Sequence, residues 1–268
     1  MFDTTSVENP PFRPARRRTA GGGAWRDREK DLQAGGGGIR MKRLNMKIVK
    51  DGYSLIVGIP AVCAVAAMIV TNYAPAALWV AWTLYGLGLV GCLFMLYFFR
   101  DPERTPAGGP DEFVSAAEGV VRSVEYMDEP RFLKCPAVRI STFLNPFNVH
   151  VNRHALSGVI KEAGYTPGRH LFTMDPKSSE YNEHSSILVE GEKTRCLERQ
   201  IVGPIVRRVV YWQEAGTRVE KGQRLGMMKF GSRMDVYFPA ADVEATVQRG
   251  DKVRAGETVI ARLKKGGA

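Results

Sequence analysis

The sequence predicts an N-terminal pair of membrane-spanning helices followed by a β-rich domain, mainly β with some α+β character. Three observations predict it: 48 consecutive uncharged residues from Gly52 to Phe99, short strand-like apolar runs through the remainder, and one internal repeat. At 268 residues, with 44% hydrophobic and 25% charged residues, the chain fits one or two folded domains. Its net charge of +10 is unevenly spread. Residues 1–50 hold 12 Lys and Arg against 5 Asp and Glu, leaving +7 there and only +3 over residues 51–268. A nearly balanced body excludes a basic nucleic-acid scaffold, and no nucleic-acid partner is expected.

Residues 1–45 form a basic arm rich in Gly and Arg, with Arg16-Arg17-Arg18 and the run Gly35 to Gly38, and read as unstructured. A tether to anionic lipid or nucleic acid is the functional alternative, and Met41 and Met46 are alternative starts. Residues 46–100 hold the hairpin. A crossing needs about 20 apolar residues, so two fit, near Tyr53–Val70 and Ala76–Phe99, with the break at Thr71-Asn72-Tyr73-Ala74-Pro75. The position and length exclude a secretory signal. Lys42, Arg43, Lys47 and Lys50 precede the first span and Arg100 and Arg104 follow the second, whereas the turn has no charge. The positive-inside rule then puts both ends in the cytoplasm and the chain in the cell's inner membrane.

Residues 101–268 form the third unit. Strand-like runs lie at Gly119–Val124, Ala137–Phe143, Val149–Val151, Ile187–Val189, Ile205–Trp212, Met234–Phe238 and Thr258–Leu263. Gly216-Thr217-Arg218-Val219 through Gly222 to Leu225 is echoed 34 residues later by Gly250-Asp251-Lys252-Val253 through Gly256 to Val259. Two such halves predict interlocked hairpins related by a pseudo-twofold, as in lipoyl or barrel-sandwich domains. Four cysteines with no CxxC pair, two of them in the apolar stretch, predict neither a disulfide framework nor a metal site.

Between the repeat halves lies Lys229-Phe230-Gly231-Ser232-Arg233-Met234-Asp235. A serine hydroxyl can attack the carbonyl before it, and a glycine on the acyl side leaves that carbonyl unshielded. The peptide then becomes an ester, which can eliminate to dehydroalanine and hydrolyse to ammonia and a pyruvoyl group. A bare Gly-Ser pair is common in turns, so its context decides.

That context resembles the short prokaryotic phosphatidylserine decarboxylase proenzymes and their archaetidylserine decarboxylase relatives. The matching stretches are Phe98-Phe99-Arg100-Asp101-Pro102-Glu103-Arg104, Glu118-Gly119-Val120-Val121, Phe143-Leu144-Asn145-Pro146-Phe147-Asn148-Val149-His150-Val151-Asn152-Arg153 and Asn182-Glu183-His184. They continue with Gln200-Ile201-Val202-Gly203 through Arg207-Arg208, and with Lys221-Gly222-Gln223-Arg224-Leu225-Gly226 leading into Phe230-Gly231-Ser232-Arg233.

The resemblance implies self-cleavage between Gly231 and Ser232, giving a β chain to residue 231 and an α chain, 232–268, that stay together as a heterodimer. Ser232 would become a pyruvoyl cofactor that forms a Schiff base with the amine of a membrane phospholipid, with phosphatidylserine giving phosphatidylethanolamine and carbon dioxide. His150 resembles the base that deprotonates the serine, and Glu118, where the family usually has Asp, resembles its partner. Longer members carry a histidine where this chain has Phe147, so the group returning a proton to the substrate carbon lies elsewhere; His154 and His184 are candidates. Arg153, His184 and Arg233 are expected near the substrate, with Arg207 and Arg208. Three alternatives stay open: an ether-lipid substrate, a biotin or lipoate carrier modified at Lys229, and an inactive membrane scaffold. The sequence also leaves the oligomeric state open.

Overall fold

The computed structural model describes residues 13–14, 46–172, 178–203, 209–229 and 232–264. The arm other than Arg13-Pro14, together with Arg207, Arg208, Phe230 and Gly231, lies outside the described residues.

Two strands, β1 (Arg13–Pro14) and β2 (Met46–Ile48), precede helix α1 (Tyr53–Tyr73) and helix α2 (Leu78–Phe98). Both helices are long and apolar enough to cross a membrane. They show no polar face, and Val57, Val62, Trp79, Trp82 and Val90 stand exposed around them. Small residues bring them together: a Cβ on Gly88 would lie 3.0 Å from Cys63 Cβ. The break falls at Ala74 and Pro75 as expected. Immediately after α2, β3 (Arg100–Pro102) pairs antiparallel with β2, tying the two helix bases together.

The remaining chain runs through β4 (Glu112–Val114), β5 (Gly119–Glu129), β6 (Cys135–Leu144), β7 (Val151–Arg153), β8 (Gly158–Thr166), the short helix α3 (Ser178–Tyr181), β9 (His184–Glu190) and β10 (Arg195–Ile201). It continues through β11 (Val209–Tyr211), β12 (Arg218–Val219), β13 (Arg224–Met228), β14 (Ser232–Pro239), β15 (Val243–Ala245), β16 (Lys252–Val253) and β17 (Val259–Leu263). Among the described residues the large sheet has nine strands, with β8-β9-β10-β14-β6-β5 as its body. Each expected strand run has a described strand within it or beside it. The sequence reading missed β8, β10 and β13, where apolar and polar residues do not alternate cleanly.

The repeat halves occupy equivalent places. β12 and β16 add to the large sheet, on β8 and β5, while β13 and β17 each centre a three-stranded sheet, β11-β13-β7 and β15-β17-β4. Gly216, Gly222, Gly250 and Gly256 all take positive φ, which is why glycine recurs at these four turns. Both halves pair with strands from earlier in the chain and share a grip on residues 114–116 and 153–155.

Side chains alternate across β14. Met234, Val236 and Phe238 enter the main core with Ile140 and Leu144, whereas Tyr237 packs on the opposite face with Leu197 and Leu188. A third cluster joins the helices to the domain: Val49, Met95, Phe98 and Phe99 pack with Val149, Val151 and Met227.

Candidate active site

Ser232 opens β14 opposite Leu144 of β6. By strand alternation its side chain shares the core face with Met234 and Val236, and it is fully buried. β10 pairs along the other edge of β14, with Gln200 opposite Met234 and Glu198 opposite Val236, so both polar side chains enter the same interior.

β7 and its flanks supply the facing wall. Gln200 Nε2 donates to Asn152 Oδ1 at 2.8 Å, and His154 Nδ1 lies 2.7 Å from Glu198 Oε2. Those two pairings step along the strands by two residues, so Asn152 and His154 meet Gln200 and Glu198 in register, with His150 two residues before Asn152. Ser232 shares a face of β14 with Met234, which pairs with Gln200.

Seven buried side-chain polar atoms have no hydrogen-bond partner among the described residues. Four belong to this interior: Ser232 Oγ, His150 Nε2, Asn152 Nδ2 and His154 Nε2. Such atoms are costly and rare, and their gathering around one serine marks a place built for chemistry.

His150 is held in one tautomer. Its Nδ1 lies 2.9 Å from the Asn148 carbonyl, which can only accept, so Nδ1 carries the proton and Nε2 the lone pair. Burial pushes its pKa down to about 4, with Arg100 adding in the same direction. The ring of Phe98, the last residue of α2, stacks on the imidazole with centroids 4.2 Å apart.

Glu118 does not bond the imidazole. Its Oε1 accepts from Val149 N at 3.2 Å and its Oε2 from Arg104 at 2.5 Å, so it anchors the backbone immediately before His150. The glycine after it is required sterically, since a Cβ on Gly119 would lie 2.0 Å from the Phe143 carbonyl oxygen.

The side chains expected near substrate each have a partner within the protein. Arg233 faces the other side of β14, where it donates to Asp235, Ser141 and Ser178. Burial opposes ionisation of Asp235, yet Arg233 and the 2.7 Å hydrogen bond from Ser179 hold its carboxyl below the usual range. His184 pairs with Ile201, which pairs with Arg233, so His184 shares that far face. Burial and then Arg199 push its pKa to about 4. Arg153 points to the neck of the molecule, donating to Asp101, Pro102 O and Gly222 O. Lys229 is buried, with its Nζ 3.2 Å from Asp51 O, unlike a carrier lysine that must be displayed for modification. A cleft of about 380 Å³ between residues 110–113 and 190–194 contains none of these groups.

Glu198 and Gln200 escaped the sequence reading. Their two-residue spacing matches that of His150, Asn152 and His154, a signal that emerges only once β7 and β10 are known to face each other. Phe98 was visible in a motif but carried no chemistry of its own.

A family model described as phosphatidylserine decarboxylase matches residues 92–261. The phosphatidylserine decarboxylase proenzyme of Salinibacter ruber is 46% identical over 195 residues, covering 70% of this chain and 86% of that protein. That of Pelobacter propionicus is 39% identical over 224 residues, covering 83% of this chain and 100% of that protein. The equivalent from Desulfotalea psychrophila is 40% identical over 178 residues, 65% of this chain and 82% of that protein.

Proposed function

The chain belongs to the phosphatidylserine decarboxylase family, and from that premise we propose that it is a membrane-anchored proenzyme that cuts itself before Ser232. The matured protein then removes the carboxyl group of phosphatidylserine, giving phosphatidylethanolamine and carbon dioxide. The observation that carries this reading is that Ser232 Oγ and His150 Nε2 are both buried with no hydrogen-bond partner among the described residues.

His150 Nε2 takes the proton from Ser232 Oγ, which attacks the carbonyl carbon of Gly231. As the C–N bond breaks, the proton passes to the freed amine and an ester joins the two segments. Loss of the Cα proton of residue 232 expels the Gly231 carboxylate, and water then releases the nitrogen as ammonia. The neutral state of His150 suits the first step, because an imidazolium could accept no proton.

The residues present fit a pyruvoyl group at position 232. Ser232 is wholly buried, and a keto group there is neutral, so it avoids the desolvation cost that a new chain-starting ammonium would carry at the same place. When formed, that group supplies the electron-accepting carbonyl for decarboxylation. His154 is the favoured proton donor to the product: it faces the same interior, Glu198 holds its Nδ1, and a proton on Nε2 would point into the site. Glu118 and Arg104 fix the backbone that carries His150.

The hairpin supports a site held at the bilayer. The pairing of β2 with β3 puts both helix bases, with Lys47, Lys50, Arg100 and Arg104, on the side of the β-rich domain, and this supports a cytoplasmic domain on the inner membrane.

Intact mass of the full chain and of Ser232→Ala tests the reading. The parent should yield two fragments divided at residue 231, the smaller with a blocked N-terminus, and should release carbon dioxide from phosphatidylserine vesicles; the variant should stay whole. A single uncleaved parent chain in active membranes would overturn it.

A further inference from the structure

We propose that the loop Asn145–Asn148 of the β-rich domain is itself inserted in the bilayer, with Phe147 as an apolar wedge three residues before His150. This rests on the membrane reading of the helices, but it adds a third point of immersion that the hairpin alone does not imply.

Depth is the first observation. Phe147 is 66% exposed, yet its ring lies against Phe94 of α2 at 6.4 Å, edge to face. Phe94 is one turn before the helix end, about 6 Å along the axis from Phe98. A helix of 21 residues is about 31 Å long, close to the roughly 30 Å of a bilayer's hydrocarbon core. Phe94 thus lies inside the stretch of α2 that spans, and the exposed Phe147 ring beside it lies at the same depth.

The second observation is the loop's own hydrogen bonding. Asn145 N donates to Asn148 Oδ1, Phe147 N to Asn145 Oδ1, and Asn148 N to Asn145 O. Pro146 has no N–H, and Val149 N is held by Glu118. The Phe147 carbonyl accepts from both Tyr97 Oη at 3.1 Å and Arg100 at 2.7 Å. Every N–H from 145 to 149 is used, so insertion in lipid strands no backbone donor of the loop. A water-exposed loop has no need of such pairing.

Position gives the wedge its use. Three residues separate Phe147 from His150, while Arg100 sits over the Tyr97 ring, 3.7 Å from its centroid, an aromatic and cationic pairing suited to the headgroup layer. The wedge thus holds the segment that carries His150 at the depth where headgroups meet acyl chains.

The test uses full-length Phe147→Trp in phosphatidylcholine and phosphatidylglycerol vesicles containing lipids brominated near the top of the acyl chain. The emission added over the parent should be strongly quenched, whereas emission added by Tyr126→Trp, an exposed aromatic on β5, should not. Quenching of the emission that Phe147→Trp adds by aqueous acrylamide alone, or its protection from both quenchers as in a protein contact or second copy, would overturn the proposal. Trp79 and Trp82 report separately on the hairpin: if bromolipids leave them unquenched, the membrane reading itself fails. As a second measurement, Phe147→Asp should lower the ratio of turnover on vesicles to turnover on dispersed short-chain substrate by about tenfold or more, the equivalent of one buried aromatic side chain. An unchanged ratio also counts against the wedge, and if that variant does not mature, the fluorescence result decides.

Discussion

The imidazole of His150 lies under the ring of Phe98, tilted by 34°. One residue belongs to the proposed catalytic interior and the other ends the second apolar helix, so the helix supplies a wall of the site as well as an anchor for it.

Removing that wall should slow self-cleavage. Phe98→Ala opens a cavity in a packed cluster, a change that costs about 3–5 kcal/mol in typical cores, and lets water reach His150. The half-time for cleavage, followed by gel mobility, should lengthen about tenfold, and its pH dependence should move upward toward the ordinary histidine range. Cleavage at the parent rate would show that Phe98 only packs.

Acid should act on folding before it acts on the base. In the unfolded chain His150 and His184 titrate near 6.5, but in the fold both are pushed to about 4. Between those values the unfolded chain binds more protons, so stability is fully present above about 6.5 and falls as pH drops toward 4, on the order of 3 kcal/mol for each histidine. Thermal melting of Ser232→Ala, which cannot cleave, should show this slope. Self-cleavage of the parent should stay flat down to about pH 5.

The contacts of Glu118 separate two roles. Glu118→Gln keeps an acceptor for Val149 N and loses only the charge opposite Arg104, so cleavage should stay within about tenfold of the parent. His150→Ala should abolish it. An equally complete loss in Glu118→Gln would mean that the carboxylate charge serves the imidazole directly.

His154 and His184 should differ after maturation. His154→Gln should cut decarboxylation by about 100-fold or more while leaving the chain cleaved, and His184→Gln, on the far face, should not. Carbon dioxide release from cleaved protein checks both, and equal losses would defeat the assignment.

Arg233→Ala should show itself in stability rather than in substrate affinity. It strands Asp235, a wholly buried carboxylate, and uncoupling such a pair costs about 3–5 kcal/mol. A denaturation midpoint near that of the parent, together with a raised KM, would return Arg233 to the substrate.

Much of this was legible in the linear chain. Residues 52–99 had to be helical and apolar wherever they sat, because an uncharged stretch of that length leaves few alternatives. The repeat glycines declared turns that only glycine adopts readily, and Ser232 and His150 stood out within long motifs. Direction was not legible: Arg233 follows Ser232 in sequence, yet its side chain lies on the other side of β14, because adjacent residues in a strand face opposite ways.

Composition and motif thus settled the kinds of unit present and the chemistry on offer: an apolar hairpin, a β-rich body, a hydroxyl after a glycine, an imidazole near neutrality. Only the tertiary structure decided which groups meet. Register is a long-range property: the pairing of β14 with β6 and β10, and the facing of β7, turns Ser232, Glu198 and Gln200 inward and Arg233 outward. Burial, which removes the proton from His150, exists only once α2 has closed over it.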